Sequence, residues 1–356
     1  MKVLKLTKPA PTISVVLPVH NGAKYISEAL DSILCQTYSD FEFIIIDDGS
    51  MDDTYEILKR YQAMDNRINI ISRKNKGLIE TLNEGVDLAR GKWLARMDSD
   101  DIALPHRFER QLKMLESMGA DICGSWVQRF GTSDKRIVRL RKTNDAIKAE
   151  MLFCSPFAHP SVMMRTSLIK HLRYDTVWES AEDYDLWERA IENGYVMTNV
   201  QEVLLLYRVH NEQISIKSAE FQKQQGQEIR RRYWNFIFNK MQIDQSNVDE
   251  TLKIFNVPLL EVDMDVVDTS FTQLLQGSDG ESRKAIFSNL TRRYLMLAAN
   301  CPNILFRWER LHEKYGTGRV FITKINFLLF RFLGIRENSI VFYFMRKIYL
   351  WSGKSE

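Results

Sequence analysis

The sequence predicts an α/β fold, with a mostly parallel sheet that carries helices on both faces, followed by a helical C-terminal extension. Short unbroken apolar runs alternate with segments of helical spacing, and such runs are typical of parallel strands buried on both faces. Polar loops follow the first four apolar runs, as expected where an open sheet binds a ligand beyond its strand ends. The composition changes after about residue 215, which indicates a separate C-terminal region.

These patterns locate the individual elements. Apolar and β-branched residues predict strands over 13–17, 41–46, 68–72 and 93–97. Apolar residues at helical spacing predict helices over 25–34 and 78–89, and a further helix opens near Thr54. A later strand is predicted over 203–207. We therefore expect successive β-α units whose strands end at the same edge of the sheet.

The composition argues against several classes of protein. The 356 residues are 45% hydrophobic and 27% charged, and a net charge of +3 is too small to indicate a nucleic-acid partner. The four cysteines show neither metal-binding nor disulfide spacing, so a reducing cytoplasm is expected. The N-terminus lacks the apolar stretch of a signal peptide, and no apolar run is long enough for a transmembrane helix.

The strand predicted over 93–97 ends in the acidic cluster Asp98-Ser99-Asp100-Asp101. Carboxylates this close repel one another unless a cation or water offsets their charge. Mg²⁺ and Mn²⁺ take one or two protein carboxylates and complete their shell with water and phosphate oxygens, so the cluster is a candidate site for either ion. The alternative is a solvated acidic turn in front of a helix that begins at Pro105.

Two earlier strand ends carry other polar groups, Pro18-Val19-His20-Asn21 and Asp47-Asp48-Gly49-Ser50. The carboxylate of Asp48 can accept a hydrogen bond from a pyrimidine N3–H or a ribose hydroxyl, and the ring of His20 can stack on a base. The alternatives are a turn residue at Asp48 and a surface residue at His20.

Further segments join these in order, at Ser32-Ile33-Leu34-Cys35-Gln36-Thr37-Tyr38, His159-Pro160-Ser161, Glu182-Asp183-Tyr184-Asp185-Leu186-Trp187 and Tyr207-Arg208-Val209-His210. Together with Val16-Leu17-Pro18-Val19-His20-Asn21, Ile46-Asp47-Asp48-Gly49-Ser50 and the acidic cluster, they resemble the family 2 glycosyltransferases with the GT-A fold. The resemblance covers roughly residues 10 to 215, and several segments in the right order are more specific than any single one.

The resemblance implies a nucleoside-diphosphate-sugar donor, most often a uridine nucleotide, and a divalent cation, Mn²⁺ or Mg²⁺, that bridges the diphosphate of the donor. It implies donor contacts by Pro18, Val19, His20, Asn21, Asp48, Asp98 and Ser99. It also implies metal contacts by Asp100, as the principal ligand, and by Asp98 and His210. For His210 a hydrogen-bonded structural role is the alternative.

The resemblance also implies a single-displacement transfer, in which an acceptor hydroxyl attacks the anomeric carbon and inverts its configuration. Such a reaction needs a carboxylate that removes the proton of the hydroxyl, and Asp183 occupies the matching position. Glu182 is expected to orient Asp183 or to contact the acceptor, and Asp185 is expected to face solvent. A helix-capping role is the alternative for Asp183.

Residues 1–215 are expected to form the catalytic domain and residues 216–356 a helical region. Within the helical region, helices are predicted over 219–241, 281–299 and 303–314, with an acidic, loop-prone stretch over 244–268. Near the end of the chain, aromatic residues stand among the basic residues Arg331, Arg336, Arg346 and Lys347. This pattern suits a helix that lies in an anionic membrane interface. The alternative is a helical cap packed on the catalytic domain.

The predicted function is metal-dependent, inverting transfer of a sugar to a glycan acceptor. The expected place is the cytoplasm, with peripheral attachment to the inner face of the membrane, and the expected acceptor is a lipid-diphosphate-linked sugar of polysaccharide or O-antigen biosynthesis. Two other hypotheses are a non-catalytic nucleotide-sugar-binding protein and a nucleotidyltransferase. Residues 18–22 argue against the second, because they lack the Gly-rich phosphate loop of such enzymes.

Overall fold

The computed structural model describes residues 9–210, 213, 218–255, 261–301, 303–316 and 320–332. The strands found in these residues are β1 (Ile13–Val19), β2 (Phe41–Asp47), β3 (Ile68–Ser72), β4 (Trp93–Arg96), β5 (Ile102–Ala103), β6 (Ile122–Phe130), β7 (Ile137–Val138), β8 (Met163–Arg165) and β9 (Met197–Arg208). These nine strands form one mixed sheet in the order β3-β2-β1-β4-β8-β6-β9-β5, with β7 paired to β6.

The helices of the same part of the chain are α1 (Ile26–Leu34), α2 (Thr54–Met64), α3 (Leu78–Leu88), α4 (Arg107–Met118), α5 (Asn144–Met151), α6 (Thr166–Leu172) and α7 (Glu182–Glu192). The chain divides into two compact units, Met1–Ile229 and Arg230–Glu356, and the boundary falls within α8 (Ala219–Lys240). The division into domains after residue 215 stays a prediction.

The first four strands form the parallel part of the sheet. β1 pairs in parallel with β2 and with β4, and β2 pairs in parallel with β3. Val15 and Leu17 belong to one core cluster with residues of α1 and α4. Val16 points to the other face, where a Cβ at Gly85 of α3 would lie 2.4 Å from its Cγ1. Helices therefore cover both faces of this part, and the predicted α/β fold with mostly parallel strands is confirmed.

The pairing of the remaining strands places the acidic cluster next to the end of β9. β8 lies between β4 and β6 and is antiparallel to both, while β9 runs parallel to β6. β5 follows directly after Asp101 and pairs with β9, Ile102 opposite Leu206. β9 begins at Met197, six residues before the predicted strand over 203–207. The helix after the cluster begins at Arg107, so the cluster is separated from it by β5 and does not form the acidic turn of a helix that begins at Pro105.

The second unit is helical. After α8 come α9 (Val248–Leu252), α10 (Met264–Gln276), α11 (Gly280–Leu297), α12 (Ile304–Tyr315) and α13 (Val320–Phe332). The predicted helices over 281–299 and 303–314 are confirmed to within a few residues. The prediction of a loop over 244–268 is wrong in part, because α9 lies inside that stretch and α10 begins within it.

Two features account for α10 and for the core of this unit. The carboxylate of Asp263 caps α10 by accepting the N–H groups of the following turn, and buried Phe271 packs edge-to-face on Trp234 with ring centroids 5.4 Å apart. Trp308 of α12 packs on Phe327 of α13 at 5.3 Å. Among the described residues, no helix has the length and apolar character needed to cross a bilayer.

Candidate functional site

The loops after β1 and β2 are interlocked at the carboxyl edge of the sheet. Nδ1 of His20 lies 3.0 Å from the carbonyl oxygen of Asp48. The backbone N–H of Asn21 donates to Oγ of Ser50 at 2.8 Å, and Oδ1 of Asn21 accepts the N–H of Met51 at 2.8 Å. Asn21 has a φ of +53°, a conformation that Asn tolerates because its side chain bonds locally. The ring of His20 is exposed here, as stacking on a base would require.

Asp48 accepts hydrogen bonds from three donors in the loop after β3. Its Oδ1 accepts the backbone N–H of Lys76 at 2.8 Å and its Oδ2 accepts that of Gly77 at 3.0 Å. Arg73 forms an ion pair with the same carboxylate and also donates to Glu84 at 2.6 Å. Sequence reasoning did not single out Arg73, because an arginine after a strand carries no local signal of its partner. Asp48 thus organises the loop, and its contact with a donor stays a prediction.

Pro18, Val19 and Ser99 lie on either side of the first loop. Pro18 and Val19 are buried residues of β1, next to the sheet edge where the loop begins. A Cβ at Gly22 would lie 2.6 Å from Cγ2 of Val19 and 3.5 Å from Oγ of Ser99. This close approach requires glycine, and it packs the acidic loop after β4 against the loop after β1.

The acidic cluster is tightly gathered. Carboxylate oxygens of Asp98, Asp100 and Asp101 lie within 4.8 Å of one another. Asp101 is fully buried, and among the described residues its Oδ2 has no hydrogen-bond partner. Burial raises the pKa of Asp101 well above its usual range, and the charges of Asp98 and Asp100 raise it further. An oxygen-only set with an unsatisfied buried atom fits a hard divalent cation such as Mg²⁺ or Mn²⁺.

Residues at and just after the end of β9 contact this cluster. The N–H of Arg208 donates to Oδ1 of Asp101 at 2.8 Å, and its Nε donates to the carbonyl oxygen of Asp100 at 2.7 Å. Nε2 of His210 lies 2.8 Å from Oδ2 of Asp100. The structure thus brings the predicted metal residues Asp98, Asp100 and His210 into one place, and the direct contact of His210 is with Asp100.

Two buried guanidinium groups lie beneath the cluster. Arg96, at the end of β4, forms an ion pair with Asp98, while its Nε has no hydrogen-bond partner in the part of the chain that the structure describes. Arg107 donates to the carbonyl oxygen of Arg96 at 2.7 Å. Burial and the charge of Arg96 lower the pKa of Arg107 to about 9, and Asp101 opposes that shift. Arg96 could have been found from the sequence, because it is a charged residue inside a predicted apolar strand.

Asp183 lies in the first turn of α7, two residues after the N-cap residue Ala181. Its Oδ1 accepts the N–H of Tyr184 at 2.8 Å, and its Oδ2 accepts the hydroxyl of Ser155 at 3.3 Å. Burial raises the pKa of Asp183, His159 lowers it, and Glu182 raises it. A carboxylate with a raised pKa is a better proton acceptor than an ordinary one.

Glu182 precedes Asp183 in the chain, and its side chain is buried. Burial raises the pKa of Glu182 to about 7, its own N–H and Arg96 lower it, and Asp98 raises it. Its Oε1 lies 3.6 Å from Nδ1 of His159. The predicted catalytic pair and the acidic cluster therefore interact electrostatically across Arg96.

The prediction for Asp185 is wrong. Its side chain is buried and forms an ion pair with Arg189 at 2.7 Å, one helical turn later. Arg189 also donates to the carbonyl oxygens of Leu172 and Arg173. Asp185 therefore joins α7 to the end of α6, because this face of α7 is covered and not exposed to solvent.

Comparisons with known proteins show which family the chain is similar to. Residues 14–173 match the family described as Glycosyl transferase family 2. An uncharacterized glycosyltransferase of Haemophilus influenzae is 32% identical over 292 residues, which cover 74% of this chain and 90% of that protein. The O-antigen biosynthesis glycosyltransferase WbnJ of Escherichia coli is 37% identical over 205 residues, which cover 56% of this chain and 80% of WbnJ.

Among solved structures, TarS of S. aureus, residues 1–349, in complex with UDP-GlcNAc, superposes with a TM-score of 0.55 at 20% identity. The match covers 85% of this chain and 91% of that one, and at this identity it shows the fold alone. With the sheet, the acidic cluster and the relatives taken together, the chain belongs to glycosyl transferase family 2, has the GT-A fold, and is a glycosyltransferase with a relative in O-antigen biosynthesis.

Proposed function

We propose that this glycosyltransferase moves a hexosyl group from a nucleoside-diphosphate-sugar to a hydroxyl of a glycan acceptor, with a divalent cation and with inversion at the anomeric carbon. One observation carries the proposal. Three carboxylates within 4.8 Å of one another lie in electrostatic reach of a second buried carboxylate pair, across Arg96. The first group suits a cation and a diphosphate, and the second suits proton removal from an acceptor.

The donor is proposed to lie along the ends of β1, β2 and β4. The exposed ring of His20 offers a surface for a base, and Asp48 keeps acceptor capacity beyond its loop contacts, because a carboxylate has about four lone-pair sites. Asp98 and Ser99 are proposed to contact the ribose and the diphosphate. TarS was solved with UDP-GlcNAc, which supports a uridine nucleotide as the donor here.

Asp100 and Asp98 are proposed to hold Mn²⁺ or Mg²⁺, with His210 beside them. When bound, the cation would neutralise charge on the leaving diphosphate as a Lewis acid. Asp101 then keeps the loop in place through its hydrogen bond with the Arg208 N–H, and Arg96 holds the carboxylate of Asp98.

Asp183 is proposed as the general base. Its raised pKa favours proton transfer from an acceptor hydroxyl, and the hydroxyl of Ser155 holds its carboxylate. In a single displacement the hydroxyl oxygen forms its bond to the anomeric carbon as the bond to the diphosphate oxygen breaks. The proton passes to Asp183, and an α-linked donor yields a β-linked product.

A donor screen tests this proposal. Thermal unfolding is followed with UDP-, GDP-, dTDP- and CMP-sugars, each with Mn²⁺ and with excess chelator, and the stabilising donors are then assayed for transfer and hydrolysis. A true donor is expected to raise the melting temperature more than its analogues, and only with metal, since stabilisation grows with the logarithm of ligand over Kd. Metal-independent binding, or binding without any turnover, would contradict the proposal, and the latter would favour a non-catalytic binding protein.

We also propose that the enzyme works at an anionic membrane surface, on a lipid-diphosphate-linked sugar. One face of α13 exposes Phe321, Ile325, Leu328 and Phe332, spaced by four, three and four residues, with Phe321 75% and Phe332 79% exposed. The opposite residues Phe327 and Phe330 are buried, so the helix is anchored in its unit while an apolar face remains outside. Arg331 is exposed beside that face, and Arg336, Arg346 and Lys347 lie outside the described residues.

Vesicle co-sedimentation tests the membrane proposal. The double variant Phe321→Ser/Phe332→Ser is expected to lose binding to vesicles that contain anionic lipid. The control Met64→Ser/Met118→Ser removes two exposed apolar side chains at the ends of α2 and α4 and is expected to bind like the parent. Binding that falls with salt would support the basic contribution. No binding by the parent, or equal binding by both variants, would favour the helical cap.

A further inference from the structure

A buried chain of polar groups runs from α3 to the first residue of α7. The side-chain amide of Asn83 donates to the carbonyl oxygen of Tyr174 at 2.8 Å, and the Tyr174 N–H donates to Oδ1 of Asn83 at 3.0 Å. The Tyr174 hydroxyl lies 2.9 Å from Nε2 of His159, and Nδ1 of His159 lies 3.6 Å from Oε1 of Glu182. All four side chains are buried, so they depend on one another and not on bulk water for their polar contacts.

The contacts select one protonation state of His159. Burial, and then the charge of Arg96, lower the pKa of His159 to about 3, so its ring is neutral at physiological pH. Burial raises the pKa of Tyr174, which therefore keeps its proton and donates it to Nε2. The ring proton is then on Nδ1, a tautomer assigned from the hydrogen bonds, and this N–H faces Glu182.

Glu182 retains capacity to accept hydrogen bonds. Within the described part of the chain Nδ1 of His159 lies 3.6 Å from Oε1, no side chain donates a closer hydrogen bond, and the charged groups that face Glu182 are Arg96 and Asp98. A buried carboxylate with free lone pairs, one residue before the proposed base, suits a hydroxyl of the incoming acceptor sugar. Its orientation then decides whether the attacking hydroxyl meets Asp183.

We propose that Glu182 binds the acceptor sugar, and that Tyr174 and His159 are positioning residues that hold its carboxylate in place. The inference rests on the proposed function, since it assumes that Asp183 is the base. Asn83 fixes the backbone of Tyr174 and so sets the position of the hydroxyl. Water needs no such positioning, so hydrolysis of the donor is expected to be independent of this chain of contacts, whereas transfer is not.

Tyr174→Phe is the principal test, because it removes one hydroxyl and keeps the ring. It is expected to lower kcat/KM for the acceptor roughly fivefold to tenfold, the size of one hydrogen bond, with donor KM and donor hydrolysis unchanged. In the background of Glu182→Gln the same substitution is expected to add no further loss, since Tyr174 acts through Glu182. His159→Gln should behave like Tyr174→Phe with a larger loss.

Tyr294→Phe is the matched control, because it removes a buried tyrosyl hydroxyl bonded to Asp268 in the second unit. It should lower the melting temperature without changing kcat/KM for the acceptor. Equal losses of transfer and hydrolysis in Tyr174→Phe would overturn the inference. So would a double variant with Glu182→Gln whose loss of kcat/KM equals the product of the two single losses. Should His159→Gln fail to fold, Tyr174→Phe decides alone. Full activity of Asp183→Asn would instead refute the proposed function, so the two failures are distinguishable.

Discussion

Carboxylates at the ends of β2 and β4, the two strands that flank β1, have opposite environments. After β2, Asp47 accepts the hydroxyl of Ser72 at 2.8 Å and Asp48 accepts two backbone N–H groups besides its ion pair with Arg73. After β4, Asp101 is fully buried with one oxygen unsatisfied, and its pKa is raised by burial and by its neighbours. Asp47 and Asp48 are thus held by donors at their own strand end, whereas Asp101 keeps one buried oxygen without a hydrogen-bond donor among the described residues.

The difference separates the residues that shape the site from those that await a ligand. A carboxylate that accepts several hydrogen bonds holds its loops in place, and the free energy of unfolding falls when these hydrogen bonds are lost. Unsatisfied buried carboxylates destabilise the folded protein unless a cation or an acceptor hydroxyl joins them, which is the pattern of a functional site. Glu182, at the start of α7, is similar to the second kind, because burial raises its pKa to about 7. Four predictions test this division, from the largest expected effect to the smallest.

The largest effect is expected from Asp100→Ala and from chelation of divalent metal. Each should lower transfer by about three orders of magnitude or more, because each removes the charge that offsets the leaving diphosphate. Metal-dependent stabilisation by the donor nucleotide should be lost as well. Asp145→Ala, an exposed acidic residue of α5, is the control and should match the parent. Undiminished transfer in excess chelator would show that the cluster is not a metal site.

Asp183→Asn should lower kcat by roughly two to four orders of magnitude, since it keeps the size of the side chain but removes the proton acceptor. Donor Kd, measured by calorimetry, should stay close to that of the parent. In the parent, kcat should fall on the acid side at a pH above the usual Asp value of about 3.9, because the pKa of Asp183 is raised. Near-normal turnover of the variant would move the base elsewhere, and Glu182→Gln would be examined next.

Asp48→Asn tests the carboxylate that accepts three hydrogen bonds after β2. The amide cannot accept from all three donors, so we expect unfolding free energy to drop by about 1–3 kcal/mol and donor affinity to fall about tenfold. Asp65→Asn is the matched control, because Asp65 forms a similar ion pair with Arg67 before β3, at the opposite edge of the sheet. Asp65→Asn should lower the free energy of unfolding and leave donor affinity unchanged. If donor affinity is unchanged in Asp48→Asn, then Asp48 is a loop residue only.

Glu182→Gln should stabilise the protein at neutral and alkaline pH. The folded pKa of Glu182 is about 7 and exceeds its usual value, so the folded state binds the proton more tightly and loses stability as the pH rises towards 7. The variant should melt a few degrees higher than the parent at pH 8, since each pKa unit corresponds to about 1.4 kcal/mol, and the gap should close near pH 5. His159 does not titrate between pH 5 and pH 8, because burial lowers its pKa to about 3. An equal difference in melting temperature at both pH values would show that the pKa of Glu182 is not raised in the folded protein.

Local signals accounted for the strands and for the carboxylates. Buried parallel strands must be apolar along their length, so β1 and β2 are visible as continuous runs, and Asp98 to Asp101 stand out because they follow such a run directly. The prediction of loop over 244–268 was partly wrong because α10 depends on its Asp263 cap and on packing by Phe271. Asp185 was misplaced because its cover comes from α6, to which α7 is joined through Arg189.

The sequence by itself determined the alternation of strands and helices, the acidic cluster and the order of the family segments, because each of these depends on neighbours within a few positions. Only the tertiary structure decided that β8 enters between β4 and β6, and that β5 and β9 bring His210 to Asp100. It also decided that Arg96 is buried beside Asp98 and that Tyr174 and His159 lead to Glu182. Such contacts join residues far apart in the chain, and their burial, which sets the pKa values, exists only once the strands have taken their places in the sheet.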